Sequence, residues 1–426
     1  MLSVKKLVRE QFPELKKHIK RTLRPGDLKA ELNCLTQAFG DYASPANLTR
    51  NEASDVVSND TTFERQRIMA NFIDILRQED CHIQHLWNFG AKEIKIALGV
   101  WLESGLATPT IRKRLSALRF YYECVLRGDA FPNNSELMPE DRQKVPTYAQ
   151  RDKTWSGNGV SLEEKLKGLP TAFIWVGHAL KLQRLFGLRV TESLLIDVHE
   201  SDRGIFLWIW RGPKGAFTRF VPIDTAEKRR FLDELKGRYS KGMALIGSEH
   251  TISLSKATNK YYDVLREILG ISKMEADVTS HGLRVEYLCE QYFILTSELA
   301  PICGGRPVCR ALDQAARDIL ALLAGHGRRK VSSAYIGKVL FGWRAKPGEV
   351  VPELNLTPEL AFVIRHEEKL RVIFMKHKQE ALRLRDASRI RPSAAARSPR
   401  QRRTWGGIKP RVAQHEKPDM FRERPI

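Results

Sequence analysis

The chain has 426 residues, 42% of them hydrophobic, and a formal net charge of +21. That length and apolar content suffice for two domains and a tail, and the charge points to a polyanion, nucleic acid before an acidic membrane surface. No run approaches the roughly 20 apolar residues of a spanning helix, and no apolar stretch follows Met1-Leu-Ser-Val-Lys-Lys as a signal peptide requires.

Residues 1–55 read as a basic N-terminal extension. A Lys- and Arg-rich helix over Val4–Thr22 is stopped by Arg24-Pro25-Gly26, and its basic side is either a phosphate-binding or a solvated face. Ala43 to Asp60 is polar and reads as a loop. Residues 56–130 read as all helical. Phe63–Glu79 places Ile68, Phe72, Ile73, Ile75 and Leu76 at helical spacing, and Ile94–Leu102 is a second apolar helix. The third is expected to be capped by Thr108, with Pro109 in its first turn. Ile111, Leu115, Leu118, Tyr122 and Val125 form its apolar stripe, while Arg112, Lys113 and Arg119 lie off it as candidate DNA contacts. An ordinary amphipathic helix is the alternative. Residues 131–160, with Pro132, Pro139, Pro146, Gly157 and Gly159, read as a flexible linker.

Residues 161–356 form the expected second domain. Ala172–Phe186 is a helix ending at Gly187. Ile205–Trp210 and Thr218–Ile223 are strands of a hairpin, with Lys214 in the turn Arg211–Gly215. Helices follow over Leu232–Tyr239, Asn259–Leu269, His281–Leu295 and Ala311–Ala324. Thr357-Pro-Glu opens a last helix over 357–386, with Leu360, Val363, Ile364, Leu370, Ile373 and Phe374 on one face. Residues 387–426 form a basic tail, expected to be disordered when free.

Three short boxes carry the chemistry: Phe186-Gly-Leu-Arg189-Val-Thr-Glu192, Ser280-His281-Gly-Leu-Arg284, and Ala324-Gly-His326 with Tyr335 nine positions further on. Arg328, Arg329 and Lys330 lie between His326 and Tyr335 as further candidate DNA contacts. Each box is common when taken alone. In this order the set resembles the tyrosine recombinase (phage integrase) family, which has Arg in G-L-R-x-x-E, then H-x-L-R, then G-H, then Tyr. The run Thr110-Ile-Arg-Lys-Arg-Leu-Ser-Ala-Leu-Arg-Phe-Tyr-Tyr122 is similar to one in the helical core-binding domain that precedes that family's catalytic domain.

The resemblance implies a mainly α fold with a small β-hairpin (α+β): a helical core-binding domain followed by a catalytic domain. It implies a site-specific recombinase or integrase of a mobile element, cutting and rejoining DNA through a 3′-phosphotyrosine. Tyr335 would be the nucleophile, and Arg189 and Arg284 would hold the scissile phosphate. His281 and His326 would bond the phosphate or handle protons, Lys214 would protonate the 5′-hydroxyl, and Glu192 would brace the site. The implied partners are double-stranded recombination sites, a homo-tetramer on two duplexes and an accessory bending or directionality factor, with no membrane. The implied location is the cytoplasm, on the nucleoid. No cofactor or metal is expected: the chain has no G-x-x-x-x-G-K-[ST] loop and no compact carboxylate cluster, and Cys303-x5-Cys309 fits no zinc knuckle. The six scattered cysteines read as reduced thiols. Two features depart from the family. The interval from Arg284 to His326, which includes Cys303 and Cys309, is long, and Val285 stands where His or Tyr is frequent. The competing readings are a type IB topoisomerase and a DNA-binding protein without catalysis.

Overall fold

A computed structural model describes residues 4–40, 57, 59–125, 131–143, 146, 148–212, 218–246, 253–307, 309–326, 329–339 and 353–389. Lys214, Arg328, the side chains of Arg329 and Lys330, most of the expected loop at 43–60 and the tail beyond Arg389 lie outside what it describes. The helices before the hairpin are α1 (Val4–Thr22), α2 (Leu28–Phe39), α3 (Asn59–Gln78), α4 (Ala91–Glu103), α5 (Thr108–Cys124), α6 (Asn134–Leu137), α7 (Leu162–Lys167), α8 (Ile174–Phe186), α9 (Val190–Leu195) and α10 (Val198–Ser201). Strands β1 (Phe206–Ile209) and β2 (Arg219–Pro222) pair antiparallel, with Phe206 opposite Pro222 and Ile209 opposite Arg219. Helices α11 (Ala226–Arg238), α12 (Leu254–Asp263, continued by a π-turn over Val264–Ile268), α13 (His281–Thr296), α14 (Arg310–Leu323), α15 (Ser333–Ile336) and α16 (Pro358–Arg389) follow. The expected class, mainly helical with one small hairpin, is the class the structure has.

The buried apolar residues fall into two clusters. The first gathers Val8, Phe12 and Ile19 of α1, Leu32 and Leu35 of α2, Phe72, Ile73 and Leu76 of α3, Trp101 of α4 and the α5 stripe. The helices of residues 4–40 therefore contribute to this core rather than forming a free extension: α1 turns an apolar edge inward and leaves Lys17, Lys20 and Arg21 exposed. Helix α5 carries its stripe as expected, but Thr108 does not cap it. Ala107 holds that place, and its methyl offers no capping bond; the helix start is favoured instead by Pro109, whose φ is pre-set for the first turn.

The second cluster runs from Trp155 to Leu360 and contains the hairpin and α8 to α15. Residues 131–160, expected as a flexible link, are held at both ends. Leu137 and Met138 join the first core, and Trp155 is buried in the second, where its indole N–H donates to the Thr279 carbonyl at 2.8 Å and its backbone N–H to Glu286 at 2.9 Å. Thr357 caps α16 through Leu360 N–H at 3.2 Å. Ile373, on the expected apolar face of α16, is exposed.

Gly187 shows why one glycine is required. It ends α8 at φ +60°, and a Cβ there would stand 2.3 Å from the buried Tyr287 ring. Gly204 has φ +83° with open space around it. Gly204→Ala should therefore cost only the left-handed penalty of about 1–2 kcal/mol, while Gly187→Ala adds an overpacking cost of roughly 1–3 kcal/mol. Urea unfolding of the two variants checks this, and equal losses would contradict it.

Candidate active site

Three chain reversals build the site. At the first, Gly187 stops α8 and leaves Arg189 in extended backbone as the residue preceding α9. Glu192, three residues on, turns back and accepts the Arg189 backbone N–H at 2.7 Å. The same carboxylate takes the Arg189 guanidinium at 2.6 Å. The R-x-x-E spacing is thus a helix-start geometry in which the carboxylate satisfies an orphan N–H and orients the arginine.

At the second, α13 begins at His281, so Arg284 follows on the same face about one turn later. Arg284 is 1% exposed. Its guanidinium donates to the Gly187 carbonyl and, at 2.5 Å, to the Ala324 carbonyl. Burial, then the nearby Arg219, lowers it to about 10, so it stays charged at neutral pH.

At the third, α14 ends in a left-handed Gly325 at φ +63°. The Gly325 N–H donates to Leu322 and the His326 N–H to Ala321 at 2.8 Å, the Schellman arrangement. This fixes His326 and leaves the Ala324 carbonyl free at the negative end of the helix. Both Arg189, at 3.0 Å, and Arg284 donate to that one oxygen. Two arginines 95 positions apart in sequence (284 − 189) therefore meet at a single point.

Tyr335 lies on α15 and is 7% exposed. Its hydroxyl is 2.9 Å from His326 Nε2. The Arg284 guanidinium carbon is 5.5 Å from the Tyr335 ring centroid, and the His281 and His326 rings are 5.6 and 5.7 Å from it. Arg317 of α14 grips α15 at both ends, donating to Ser333 Oγ at 3.3 Å and the Gly337 carbonyl at 3.0 Å. Asp313 holds Arg317 through two bonds, and Tyr292 of α13 donates to Asp313 at 2.8 Å.

The bonding assigns the His326 tautomer. Arg189 Nη2 lies 3.5 Å from the same Nε2, and a guanidinium only donates. Nε2 therefore bears the lone pair, and the Tyr335 hydroxyl is the donor. A neutral ring fits the surroundings: burial first, then Arg189, Arg284 and Arg219, push His326 down to about 4. His281 is lowered to about 4 by crowding of its inner side, then by Arg284, Lys153 and Arg189. His281 is exposed, so water also screens the neighbouring cations there.

These directions set a pH dependence. A histidine whose folded pKa is depressed leaves the folded state with fewer protons than the unfolded state between the two values. Stability contributed by the neutral rings is then complete above about 6.5 and is lost progressively as pH falls toward about 4. Glu192, held down to about 2 by Arg219 and Arg189 against the opposing effect of burial, adds a second loss from about 4.5 to 2. The second-order rate of any reaction in which His326 accepts the Tyr335 proton should fall on the acid side near pH 4, and an acid limb centred at 6.5 would contradict the assignment.

The structure thus brings together Arg189, Glu192, His281, Arg284, His326 and Tyr335 from among the expected site residues. It does not bring the three expected DNA contacts of α5 to them. Arg112 donates to the Gln143 carbonyl, Lys113 pairs with Glu64 at 2.6 Å, and Arg119 reaches Asn134 at 3.4 Å and lies over the Phe131 ring. One member was not foreseen in its role. Arg219 of β2 lies buried against Glu192, with bonds of 2.5 and 2.7 Å. An arginine inside an otherwise apolar strand was the available signal. Among the described residues no group of His, Cys, Asp and Glu is placed to hold a metal, and no helix is long and apolar enough to cross a membrane.

No protein-family model matches the chain, and no curated protein matches it in sequence. Among solved structures it is similar to a lambda integrase fragment, residues 75–356, in a dimer bound to a COC′ core site, with a TM-score of 0.46 and 17% identity over 71% of this chain and 95% of that one. It is also similar to a lambda integrase tetramer bound to a Holliday junction, with a TM-score of 0.46 and 16% identity over 69% and 76% of the two chains. A Tn1549 transposon integrase fragment in complex with circular intermediate DNA gives a TM-score of 0.43 and 14% identity over 73% and 96%.

Proposed function

We propose that the chain is a tyrosine-type site-specific DNA recombinase, an integrase that breaks and rejoins DNA through a 3′-phosphotyrosine. The observation that carries this reading is the Tyr335 hydroxyl 2.9 Å from a lone-pair nitrogen of His326, beside two guanidiniums that meet at the Ala324 carbonyl. A phenol with an ordinary pKa near ~10 must lose its proton as it attacks, and His326 is oriented to receive it. As the phosphorus becomes pentavalent, charge grows on its non-bridging oxygens. Arg189 and Arg284 offer planar forks of donors to that charge, and His281 supplies a further hydrogen bond at the mouth of the site. The bond energy is kept in the phosphotyrosine, so a second 5′-hydroxyl can reverse the step without a nucleotide cofactor.

In this reading Lys214, in the hairpin turn, protonates the departing 5′-oxygen. The substrate is a pair of recombination-site duplexes held by four copies of the chain, aided by an accessory bending or directionality factor, and used to move a mobile element. Arg112, Lys113, Arg119, Arg328, Arg329 and Lys330, with the basic tail, contribute phosphate contacts. The core-binding region is 56–130 and the catalytic region 161–356, followed by a helix over 357–386. The protein works in the cytoplasm, on the nucleoid.

The test uses a pool of duplexes with a randomised core and a nick in one strand, so that cleavage near the nick traps the protein covalently. Adducts are sequenced, and intact versions of the enriched site are then incubated in pairs. A four-strand junction is the expected product. Relaxation of supercoiled DNA without junctions would favour the topoisomerase reading, and binding without adducts would favour a non-catalytic DNA-binding protein. Lys214 has its own check. Lys214→Ala should cut normal DNA slowly, yet recover on a 5′-bridging phosphorothiolate, whose leaving group needs no proton. Equal defects on both substrates would remove the acid role.

A further inference from the structure

We propose that Arg219 is a positioning residue of this site, neutralising Glu192 so that the carboxylate orients Arg189 without subtracting charge from the place where an anion binds. The inference rests on the phosphodiester-transfer reading above and deepens it.

The geometry is a fork on a carboxylate. Arg219 Nη1 donates to Glu192 Oε1 at 2.5 Å and Nη2 to Oε2 at 2.7 Å. Both side chains are cut off from water, with exposures of 1% and 0%. Arg189 shares Oε1 through a single bond at 2.6 Å. Glu192 is thus paired twice, and unequally: Arg219 saturates both oxygens, whereas Arg189 spends one nitrogen and keeps its other for the Ala324 carbonyl.

Arg219 also touches the remaining boxes from behind. Its Nη2 lies 3.4 Å from the Gly187 carbonyl, and a Cβ on Gly325 would meet its Cδ at 3.0 Å. It therefore packs under the residue that joins the Ala324 carbonyl to His326, adding a close contact to the left-handed φ of +63° that already favours glycine there. No hydrogen bond described for it reaches Tyr335 or either histidine, so it acts through Glu192 rather than on the reacting atoms.

Charge counting gives the consequence. Three guanidiniums, of Arg189, Arg219 and Arg284, face one carboxylate, and with neutral histidines two positive charges remain. Without Arg219 one remains. A phosphodiester carries one negative charge and gains more during attack, so the site then loses half of its complement. A buried charge left with a partial partner is also costly, and Glu192 would then draw Arg189 fully onto itself.

The test compares single-turnover adduct formation on the nicked, randomised-core pool described above, with duplex binding measured in parallel. Arg219→Met should slow adduct formation by about 100-fold while duplex affinity stays within a few-fold. Adding Glu192→Gln to Arg219→Met should recover at least about tenfold, because the uncompensated charge has gone, and Arg219→Lys should fall between the native chain and Arg219→Met. A near-native rate for Arg219→Met overturns the proposal. So does a double variant no faster than Arg219→Met, since Arg219 would then act independently of Glu192. If Arg219→Met does not fold, the double variant and Arg219→Lys, which lack the unpaired charge, carry the comparison. A native chain that forms no adduct would instead sink the parent reading. The pairing is then judged on the free protein: carboxyl-carbon NMR should show Glu192 titrating higher in Arg219→Lys than in the native chain, and an unmoved titration would overturn the proposal.

Discussion

Tyr335→Phe should abolish covalent adduct formation on the nicked substrate while leaving duplex affinity within a few-fold. The substitution removes one oxygen. The ring that packs beside Arg284 and the two histidines remains, so the fold around it persists, and binding rests on the many phosphate contacts of a chain with net charge +21. Chemistry stops because no other phenol can replace it. Tyr287 and Tyr292 are the nearest in sequence to the arginine box, but they are 1% and 0% exposed. Tyr292 spends its hydroxyl on Asp313, and Tyr287 packs against Gly187. Gel separation of adduct from free protein, with binding followed by anisotropy, checks both halves. An adduct formed by Tyr335→Phe at native yield would remove Tyr335 from the mechanism.

Arg284→Ala should lower the single-turnover rate by about 10²–10³, the usual cost of losing one charge-stabilising donor. Here the effect has a second source. Arg284 fastens the Gly187 and Ala324 carbonyls, which position Arg189 and His326 respectively, so its loss loosens both neighbours. Each carbonyl keeps one other donor, Arg189 on Ala324 and Arg219 on Gly187, but each loses a charge-assisted bond of roughly 1.5–3 kcal/mol, and the variant should melt lower as well. Arg284→Lys separates the two contributions: it returns the charge but not the fork, and should regain stability more fully than rate. Near-normal cleavage by Arg284→Ala, in protein shown to be folded, would contradict the role.

The boxes were legible because their order resembles a known family's pattern, and within each box the spacing follows a local rule. Arg189 and Glu192 are three apart because a helix start needs a carboxylate there. His281 and Arg284 share a helix face. Gly325-His326 is a helix end that only glycine completes. These constraints act over a few residues, so sequence alone carries them. The role of Arg219 depends on the register of β2 against β1 and on which side of the strand meets α9, neither of which a four-residue strand announces. The same holds for the backbone carbonyls of Gly187 and Ala324, which no side-chain motif can report. The charge of residues 1–55 makes them read as an extension and masks α2, although Leu28, Leu32, Leu35 and Phe39 repeat at helical spacing. The supposed linker is tied to the first core through Leu137 and Met138 and to the second through Trp155, whose partners lie more than 120 positions away in sequence.

The most direct test is the identity of the residue that carries the phosphate. The adduct trapped on a nicked duplex whose cut strand is labelled at its 5′ end is digested with nuclease and then protease, and the modified peptide is sequenced by mass spectrometry. The expected result is a single peptide containing Ser332-Ser333-Ala334-Tyr335, with the nucleotide on the Tyr335 oxygen. A nucleotide on Tyr287, Tyr292 or any serine, or a native chain that cuts DNA without becoming attached to it, would contradict the assignment of this site as a phosphotyrosine-forming centre.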